Sequence, residues 1–356
     1  MVLGAGATRG ALSGTRSPRV SPPLNRDYFD ILSKFVQTRE GRKYATSYDR
    51  LMKFVNIEIG RKAVASSTME EVFNVLFMSK DLPEIFHKGR GRRRASGYRQ
   101  EVKDFLSLLI KVFHFVQSKS RPRDNLHHHH ILANSLSPGD VIMTLNYDTL
   151  MDNALVSAGW NPSHGYGFHA KARCEIVRPR KTNPQLSSVL LLKPHGSFNW
   201  FAKGRFKNLE SLLEKRPVSK ILVSKLPRLY ESNQKKLVRF FIPPLYTKFF
   251  KNHFWSNLWI KTYKAAKSAD RIIIVGCSLI ATDYHLRAIL SKSISDKRKK
   301  YREIVIVDRS QDVQKVLKSF FRGHSATGCK VYSSFSDFCR YVKTWTNTIL
   351  RDESWE

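Results

Sequence analysis

The chain has 356 residues, of which 42% are hydrophobic, so it can bury a large core in one or two domains. No apolar run approaches the roughly 20 residues needed to span a bilayer, and the amino terminus lacks the basic flank and the length of a signal peptide. These features exclude an integral membrane protein and favour a cytoplasmic one. The formal net charge of +33 favours contact with nucleic acid or another polyanion, although solvated basic faces would give the same balance.

The first predicted element is a short strand at the amino terminus. Val2-Leu3 leads directly into residues 4–8, which read Gly-Ala-Gly-Ala-Thr. Glycines at such a turn allow the backbone to approach a pyrophosphate, and amide groups at the start of the next helix hold the anion. A Gly-x-Gly pattern alone is weak evidence. The candidate dinucleotide-binding residues of this turn are Gly4, Ala5, Gly6 and Thr8.

Residues 41–135 are predicted to form a mainly helical insertion. Three segments have apolar residues at the spacings of three and four that are typical of amphipathic helices: Tyr48–Ile59, Met69–Met78 and Val102–Val116. The basic run Lys88–Arg94 is predicted to be a loop. The histidines at 127–130 are expected to form an exposed polar tract, because neighbours on a helix point about 100° apart and cannot share one face.

A short buried strand is predicted next, where the apolar run Val141–Met143 follows a Pro-Gly turn. It ends in Thr144, Asn146 and Asp148, after which a helical pattern resumes. Ligands of an open α/β sheet sit in the crevice at the carboxyl ends of the strands. These three residues are therefore candidates for binding or chemistry. The alternative is that they only turn the chain and cap the helix.

Three further apolar strands also end in small or polar residues. Leu190–Leu192 runs into His195, and Ile272–Val275 runs into a Gly-Cys-Ser-Leu turn. The candidate residues that follow the second of these strands are Gly276, Ser278 and Asp283. Asp308 ends the strand at 304–307 and would accept a hydrogen bond from an adenosine ribose, or else cap the following helix.

From Asp140 onwards, strand and helix patterns alternate regularly. Strands are predicted at 141–145, 188–193, 271–276, 303–308 and 329–333, and helices at 147–158, 252–268, 281–294, 310–321 and 335–349. This alternation predicts an α/β fold, namely a Rossmann-like doubly wound parallel sheet with a mainly helical insertion. The expected sheet domain comprises residues 1–40 and 136–356. It carries a basic insert at about 203–236.

Four motifs occur in the order that sirtuin-like proteins use: Gly-Ala-Gly-Ala-Thr, Thr-Leu-Asn-Tyr-Asp, Lys-Pro-His-Gly-Ser and Gly-Cys-Ser-Leu. The chain resembles the bacterial sirtuin-like branch more than the protein deacetylases. The likeness spans nearly the whole chain, although residues 30–135 and 203–236 match only in outline. It implies that NAD is the substrate and that the bond between nicotinamide and ribose is cleaved.

The resemblance also implies roles for individual residues. Asn146 would hold the nicotinamide ribose and an attacking water, and Asp148 would contact the nicotinamide carboxamide. His195 would act as the base, since imidazole titrates near pH ~6.5. The NAD-binding residues would be Gly4, Ala5, Gly6, Thr8, Thr144, Gly276, Ser278, Asp283 and Asp308.

The four cysteines form no Cys-x-x-Cys pair, which argues against a structural zinc ribbon. Sirtuin deacetylases typically carry such a ribbon, so the resemblance implies an NAD glycohydrolase without metal rather than a protein deacylase. Proteins of this type in bacteria commonly deplete NAD in anti-phage defence. A homo-oligomer or a separate defence partner would then control the activity. A protein deacylase and a non-enzymatic binder of nucleotides or nucleic acid remain the alternatives.

Overall fold

A computed structural model of the chain describes residues 1–12, 22–60, 67–81, 99–119, 122–168, 181–203, 220–223, 237–244, 252–279, 283–295, 301–324 and 328–342. The chain divides into two compact units. The larger unit comprises Met1–Ser13, Arg121–Phe241 and Phe249–Glu356, and the smaller comprises Gly14–Ser120 and Ile242–Lys248. The basic run Lys88–Arg94 lies outside the described residues, as does most of the expected basic insert.

The strands of the described chain all belong to the larger unit. In chain order they are β1 (Val2–Leu3), β2 (Val141–Thr144), β3 (Leu190–Leu192), β4 (Gly196–Lys203), β5 (Lys220–Val223), β6 (Leu237–Phe241), β7 (Arg271–Val275), β8 (Glu303–Val307) and β9 (Cys329–Tyr332). Six of them form a parallel sheet in the order β3-β2-β1-β7-β8-β9, and β5-β4-β6 form a small antiparallel sheet. The runs Ile-Ile-Ile-Val and Ile-Val-Ile-Val of β7 and β8 are buried, as expected for central parallel strands.

The helices flank this sheet or build the smaller unit. In chain order they are α1 (Ala5–Leu12), α2 (Tyr28–Val36), α3 (Ala45–Val55), α4 (Met69–Asp81), α5 (Arg99–Lys119), α6 (Pro122–Asn134), α7 (Leu150–Ser157), α8 (Pro162–Gly165), α9 (His253–Ser268), α10 (Tyr284–Ile294) and α11 (Gln311–Phe320). Residues 335–342 are helical as well. None of the helices in the described chain is long and apolar enough to cross a membrane.

The strand order reverses between β1 and β7. From β1 the chain steps outward through β2 to β3, whereas from β7 it steps the other way through β8 to β9. Because crossovers between parallel strands are right-handed, opposite steps place their helices on opposite faces of the sheet. The predicted α/β, Rossmann-like fold class is therefore confirmed. Such sheets bind ligands in the crevice at the carboxyl ends of the two strands where the order reverses, here β1 and β7.

The histidine tract differs from its prediction. Residues 128–130 lie on α6, which packs against α1 and α7, and His129 is only 2% exposed. Burial, with smaller contributions from His128 and His130, lowers the pKa of His129 to about 3. The expectation of an exposed tract was wrong because a packed helix turns every third or fourth residue inward, whatever its polarity.

The smaller unit is built from α2 to α5 around an aromatic core. Tyr28, Phe73 and Phe105 are fully buried, and the ring centroids of Tyr28 and Phe73 lie 5.5 and 5.0 Å from that of Phe105. Asn25 ties the segment before α2 to the start of α4, because its side chain bonds both the Glu70 amide and the Glu70 carboxylate.

Candidate active site

The candidate residues all lie along the carboxyl edge of the parallel sheet. They follow five neighbouring strands, whose order from one side is β3, β2, β1, β7 and β8. The residues are His195 after β3; Thr144, Asn146 and Asp148 at and after the end of β2; Gly4, Ala5, Gly6 and Thr8 after β1; Gly276, Ser278 and Asp283 after β7; and Asp308 after β8.

Three of these side chains bond one another directly. The hydroxyl Oγ1 of Thr8 donates to Asp148 Oδ2 at 2.6 Å and accepts from Asn146 Nδ2 at 3.1 Å. The same Nδ2 donates to the carbonyl oxygen of Gly4 at 2.9 Å. A carbonyl can only accept, so the nitrogen of the amide must face Gly4. Both amide hydrogens are then used, and Oδ1 is the atom that Asn146 can offer to a further partner.

Asp148 is more constrained than the sequence suggested. Its side chain is buried, and while Oδ2 accepts from Thr8, Oδ1 accepts from the backbone amide of Leu150 at 3.0 Å. Leu150 is the first residue of α7, so the carboxylate shapes the turn into that helix. Thr144 acts similarly, because its Oγ1 accepts from the amide of Asn146 at 3.0 Å. Both residues hold Asn146 in place.

His195 lies in a tight turn between β3 and β4. The amide of Gly196 donates to the carbonyl of Lys193 at 2.8 Å, and Gly196 has a φ of +78°. A Cβ atom at this position would lie 2.5 Å from the Phe240 carbonyl oxygen, so only glycine fits. His195 is 5% exposed, and its ring centroid lies 6.4 Å from that of Tyr147 and 5.8 Å from that of Trp259.

Lys193 is a residue of the site that the sequence analysis missed. Its side chain is fully buried, and Nζ donates to the Asp148 carbonyl at 2.5 Å, to Asp152 Oδ2 at 3.0 Å and to Ser197 Oγ at 2.8 Å. The available signal was a cation placed directly after the apolar run of β3. Lysine is almost never fully buried unless it is paired. Such a position therefore predicts a buried anion nearby.

Backbone contacts join the turns after β1 and β7. The amide of Gly4 donates to Val275 O and that of Gly6 to Gly276 O, both at 2.9 Å. A Cβ atom on Gly4 would lie 2.3 Å from Gly276 O, so the glycines permit the two turns to touch. The amide of Ala7 is also used, since it donates to Gly4 O. Ala5 is the exposed residue of the turn.

The turn after β7 is strained and buried. Leu279 has a φ of +46°, which is unusual for a residue with a branched side chain. Burial, assisted by the nearby Asp283 and Asp308 carboxylates, raises the pKa of the Cys277 thiol to about 12. The thiol therefore stays neutral and unreactive, and Ser278 is the half-buried polar residue of this turn. Asp283 occupies the N-cap position of α10.

Asp308 begins the turn after β8. Its Oδ1 accepts from the amide of Ser310 at 2.8 Å, and its own amide donates to the Tyr332 carbonyl at 3.1 Å. Burial raises the pKa of its carboxyl, while the amides of Ser310 and Arg309 act in the opposite direction. The side chain thus shapes the start of α11, and its carboxylate lies at the same sheet edge as the other candidates.

The described residues contain no group of three His, Cys, Asp or Glu side chains that could hold a metal ion. The structure brings together Thr8, Asn146 and Asp148 by direct hydrogen bonds, and it places His195 beside Tyr147. Gly4, Gly6 and Gly276 meet through their backbones. Ser278, Asp283 and Asp308 lie on the β7–β8 side of the edge.

Residues 140–326, slightly more than half of the chain, match the family model of the SIR2-like domain. Among solved structures, a crystal structure of a SIR2 homolog–NAD complex is similar at 12% sequence identity, with a TM-score of 0.36, over 70% of this chain and 76% of that chain. No curated protein matches the sequence.

Proposed function

The chain belongs to the SIR2-like family, and we propose that it is an NAD⁺ glycohydrolase. The enzyme cleaves the bond between the nicotinamide nitrogen and C1′ of the ribose. The bonding electron pair leaves with the nitrogen, so nicotinamide departs neutral and needs no strong acid. Water attacks C1′ and loses a proton, and the products are nicotinamide, ADP-ribose and one proton.

The fixed amide of Asn146 is the observation that carries this proposal. Thr8 and Gly4 hold both of its hydrogens, so Oδ1 is a pre-positioned acceptor. The transition state resembles an oxocarbenium ion, and catalysis needs a group that orients the incoming water or the ribose hydroxyl. An amide oxygen can accept a hydrogen from either one.

His195 is the base in this scheme. A neutral imidazole has one nitrogen that accepts a proton, and histidine titrates near the pH of the cell. The ring packs beside Tyr147, which lies between Asn146 and Asp148 in the chain. Proximity of the two loops supports a base close to the water that Asn146 orients.

The β7–β8 side of the edge would hold the rest of the dinucleotide. A phosphate would meet Ala5 at the start of α1 and Ser278 after β7, and the Gly4–Gly276 contact allows both turns to lie close together. Asp308 would accept a hydrogen bond from the adenosine ribose. Asp283 would support the turn that carries Ser278.

Two alternatives share this site. A protein deacylase would use the same cleavage but would deliver an acyl-lysine oxygen to C1′ in place of water. A non-enzymatic binder would hold NAD or ADP-ribose without turnover. The residues proposed for chemistry, Asn146 and His195, are present, which favours an enzyme.

The test is NAD consumption by the purified protein, with chromatography of the products. We expect nicotinamide and ADP-ribose without any acylated peptide, and at least a 100-fold loss of turnover in Asn146→Ala and His195→Ala. Asn153→Ala and His164→Ala are matched controls, since both side chains lie on neighbouring helices outside the proposed site. Their turnover should stay within about twofold of the original protein.

The result separates the alternatives. Turnover that requires an acyl-lysine peptide would assign the chain to the deacylases. Tight NAD binding without turnover, under every condition tried, would leave a binding protein.

We further propose that the activity is a regulated defence effector that depletes cellular NAD. The support is the resemblance to the bacterial branch without zinc, and such an enzyme must be silent until an oligomer or a partner activates it. Cells that express the protein should lose NAD after phage infection, whereas cells with Asn146→Ala should not. NAD loss without infection, at normal expression levels, would contradict regulation.

A second candidate function, polyanion binding, is favoured by α9. This helix contains no Asp or Glu, and its exposed side chains include Lys261, Lys264 and Lys267 at successive spacings of three. Residues three apart lie on neighbouring positions of a helix surface, so the three ammonium groups form one stripe. Lysines near the carboxyl end of a helix are also stabilised by the helix dipole. Lys261 donates a hydrogen bond to the Gly167 carbonyl.

DNA and RNA binding at several salt concentrations tests this candidate. Replacing the three lysines of α9 with Gln should reduce the slope of log affinity against log salt by about 2 to 3. The matched control is the same change of three other exposed residues, Lys315 and Lys318 on α11 and Arg322 just after it. Equal losses in the two variants would indicate general charge rather than a site on α9.

A further inference from the structure

Lys193 joins three segments of the larger unit at one point. Its ammonium has three hydrogens, and each one has an acceptor: the Asp148 carbonyl after β2, the Asp152 carboxylate in the first turn of α7, and Ser197 Oγ at the start of β4. The side chain is 0% exposed, so water does not compete for these bonds. All three hydrogens of the buried ammonium are thus used to connect the loops that carry Asn146 and His195.

The surroundings of Lys193 reinforce this junction. Asp152 Oδ1 accepts a hydrogen bond of 2.5 Å from the Tyr166 hydroxyl, and burial followed by the Asp152 charge raises the pKa of Tyr166 well above its ordinary value. Tyr166 therefore remains a donor. On the other side, Ser197 Oγ and the Phe198 amide both donate to the Tyr147 carbonyl, at 3.3 and 3.0 Å.

We propose that Lys193 is the positioning residue of the active site, an inference that rests on the proposed function. It fixes the loop of Asn146 and Asp148 against the turn of His195. His195 lies inside the five-residue turn that the Lys193–Ser197 bond closes, and Asp148 supplies the carbonyl that accepts the shortest of the three bonds. The ammonium therefore sets the relative place of the amide and the imidazole without touching the substrate.

A purely structural role would predict something different. A buried ion pair is often replaceable by neutral residues of similar size without loss of stability, whereas removing one partner leaves an uncompensated charge. If Lys193 served only the core, a neutral pair would restore stability and activity together. If it positions the site, the neutral pair would restore stability alone, because methionine has no hydrogen to donate to Asp148 or Ser197.

The test compares Lys193→Met with the double variant Lys193→Met/Asp152→Asn. We expect the single variant to unfold at a lower temperature and the double variant to regain most of that loss. In the double variant kcat should remain about 100-fold below that of the original protein, while KM for NAD changes less than about threefold, because misplaced catalytic groups affect chemistry more than binding. A double variant with recovered stability and the original kcat would overturn the proposal.

Glu303→Gln is the matched control. Glu303 is buried at the amino end of β8, where it pairs with Lys330 at 2.6 Å and accepts from the Tyr341 hydroxyl at 2.9 Å. It resembles Asp152 in burial and pairing but lies at the opposite edge of the sheet. Its loss should lower the unfolding temperature and leave kcat unchanged.

A readout that needs no turnover separates this proposal from the proposed function. The imidazole NMR signals of His195, assigned by their absence in His195→Ala, should shift in the double variant and stay in place in Glu303→Gln. Ser197→Ala is a milder change that keeps both charges, and it should move the same signals in a folded protein. Unmoved His195 signals in Ser197→Ala and in the double variant would overturn the positioning role, whether or not the protein hydrolyses NAD.

Discussion

The two halves of the carboxyl edge are held together in different ways. On the β1–β3 side, side chains bond side chains: Thr8 joins Asn146 to Asp148, and Lys193 joins Asp152 to Ser197. On the β7–β8 side, backbone meets backbone, as where Gly6 donates to Gly276 and Gly276 donates to Val307.

This difference separates two tasks. Directional bonds between side chains fix the orientation of polar groups, which is what chemistry requires. Close backbone contacts through glycine fix the shape of an edge and leave few groups to react. The proposed function would accordingly use the β1–β3 half for chemistry and the β7–β8 half for binding the rest of the dinucleotide.

Among the substitutions that test this comparison, Gly276→Ala is expected to lower the free energy of unfolding most. Gly276 has a φ of +56°, and a Cβ atom there would lie 2.2 Å from the amide nitrogen of Ala7. The left-handed conformation and the backbone overlap together should lower the free energy of unfolding by at least about 3 kcal/mol, as measured by urea denaturation.

Gly323→Ala is the control for conformation alone. Gly323 has a φ of +79°, but a Cβ atom would meet nothing within 4 Å. Gly323→Ala should lower the free energy of unfolding by only about 1 kcal/mol. Equal losses in the two variants would mean that the contact between the turns contributes nothing.

The placement of the candidate residues at one sheet edge could be predicted from the sequence, because apolar runs mark strands and parallel strands share an edge. Every candidate residue indeed lies at the carboxyl edge. The bonds within the site could not be predicted. Thr8 and Asp148 are 140 residues apart in the chain, and only the pairing of β1 with β2 brings them together.

Lys193 and His129 show the same limit in side-chain burial. The sequence analysis expected an exposed histidine tract and gave no role to Lys193, yet Lys193 is 0% and His129 is 2% exposed. Burial of a polar group depends on partners that tertiary packing supplies, such as Asp152 for Lys193. The local sequence does not identify which residues those partners are.

Thr8→Val would probe the side-chain half of the edge. The change keeps the volume but removes the donor to Asp148 Oδ2, which is buried, and the acceptor of Asn146 Nδ2. An unsatisfied buried acceptor should lower the free energy of unfolding by about 2 kcal/mol in urea denaturation. Turnover of NAD should fall as well, because Asn146 loses one of its two anchors.

Thr262→Val provides the comparison for Thr8→Val. Thr262 is also buried, but its hydroxyl donates to the Leu258 carbonyl of its own helix. That carbonyl keeps its place in the helix, so the loss should be below about 1 kcal/mol. If Thr8→Val cost no more than Thr262→Val, the network at β1 and β2 would not be a distinct feature of the edge.

The smallest expected effect concerns His129, which lies behind the side-chain half on α6. The pKa of His129 in the folded protein is about 3, below its ordinary value of 6.5. Between these two pH values the unfolded chain binds a proton at His129 that the folded chain does not bind. Stability is therefore complete above pH 6.5 and falls as the pH drops towards 3. From pH 8 to pH 5.5 the loss from this residue should be about 1.4 kcal/mol, and urea denaturation of His129→Leu should lack it. A parallel loss of stability in the two proteins would mean that folded His129 takes up its proton at the ordinary pKa, which would contradict the effect of its burial.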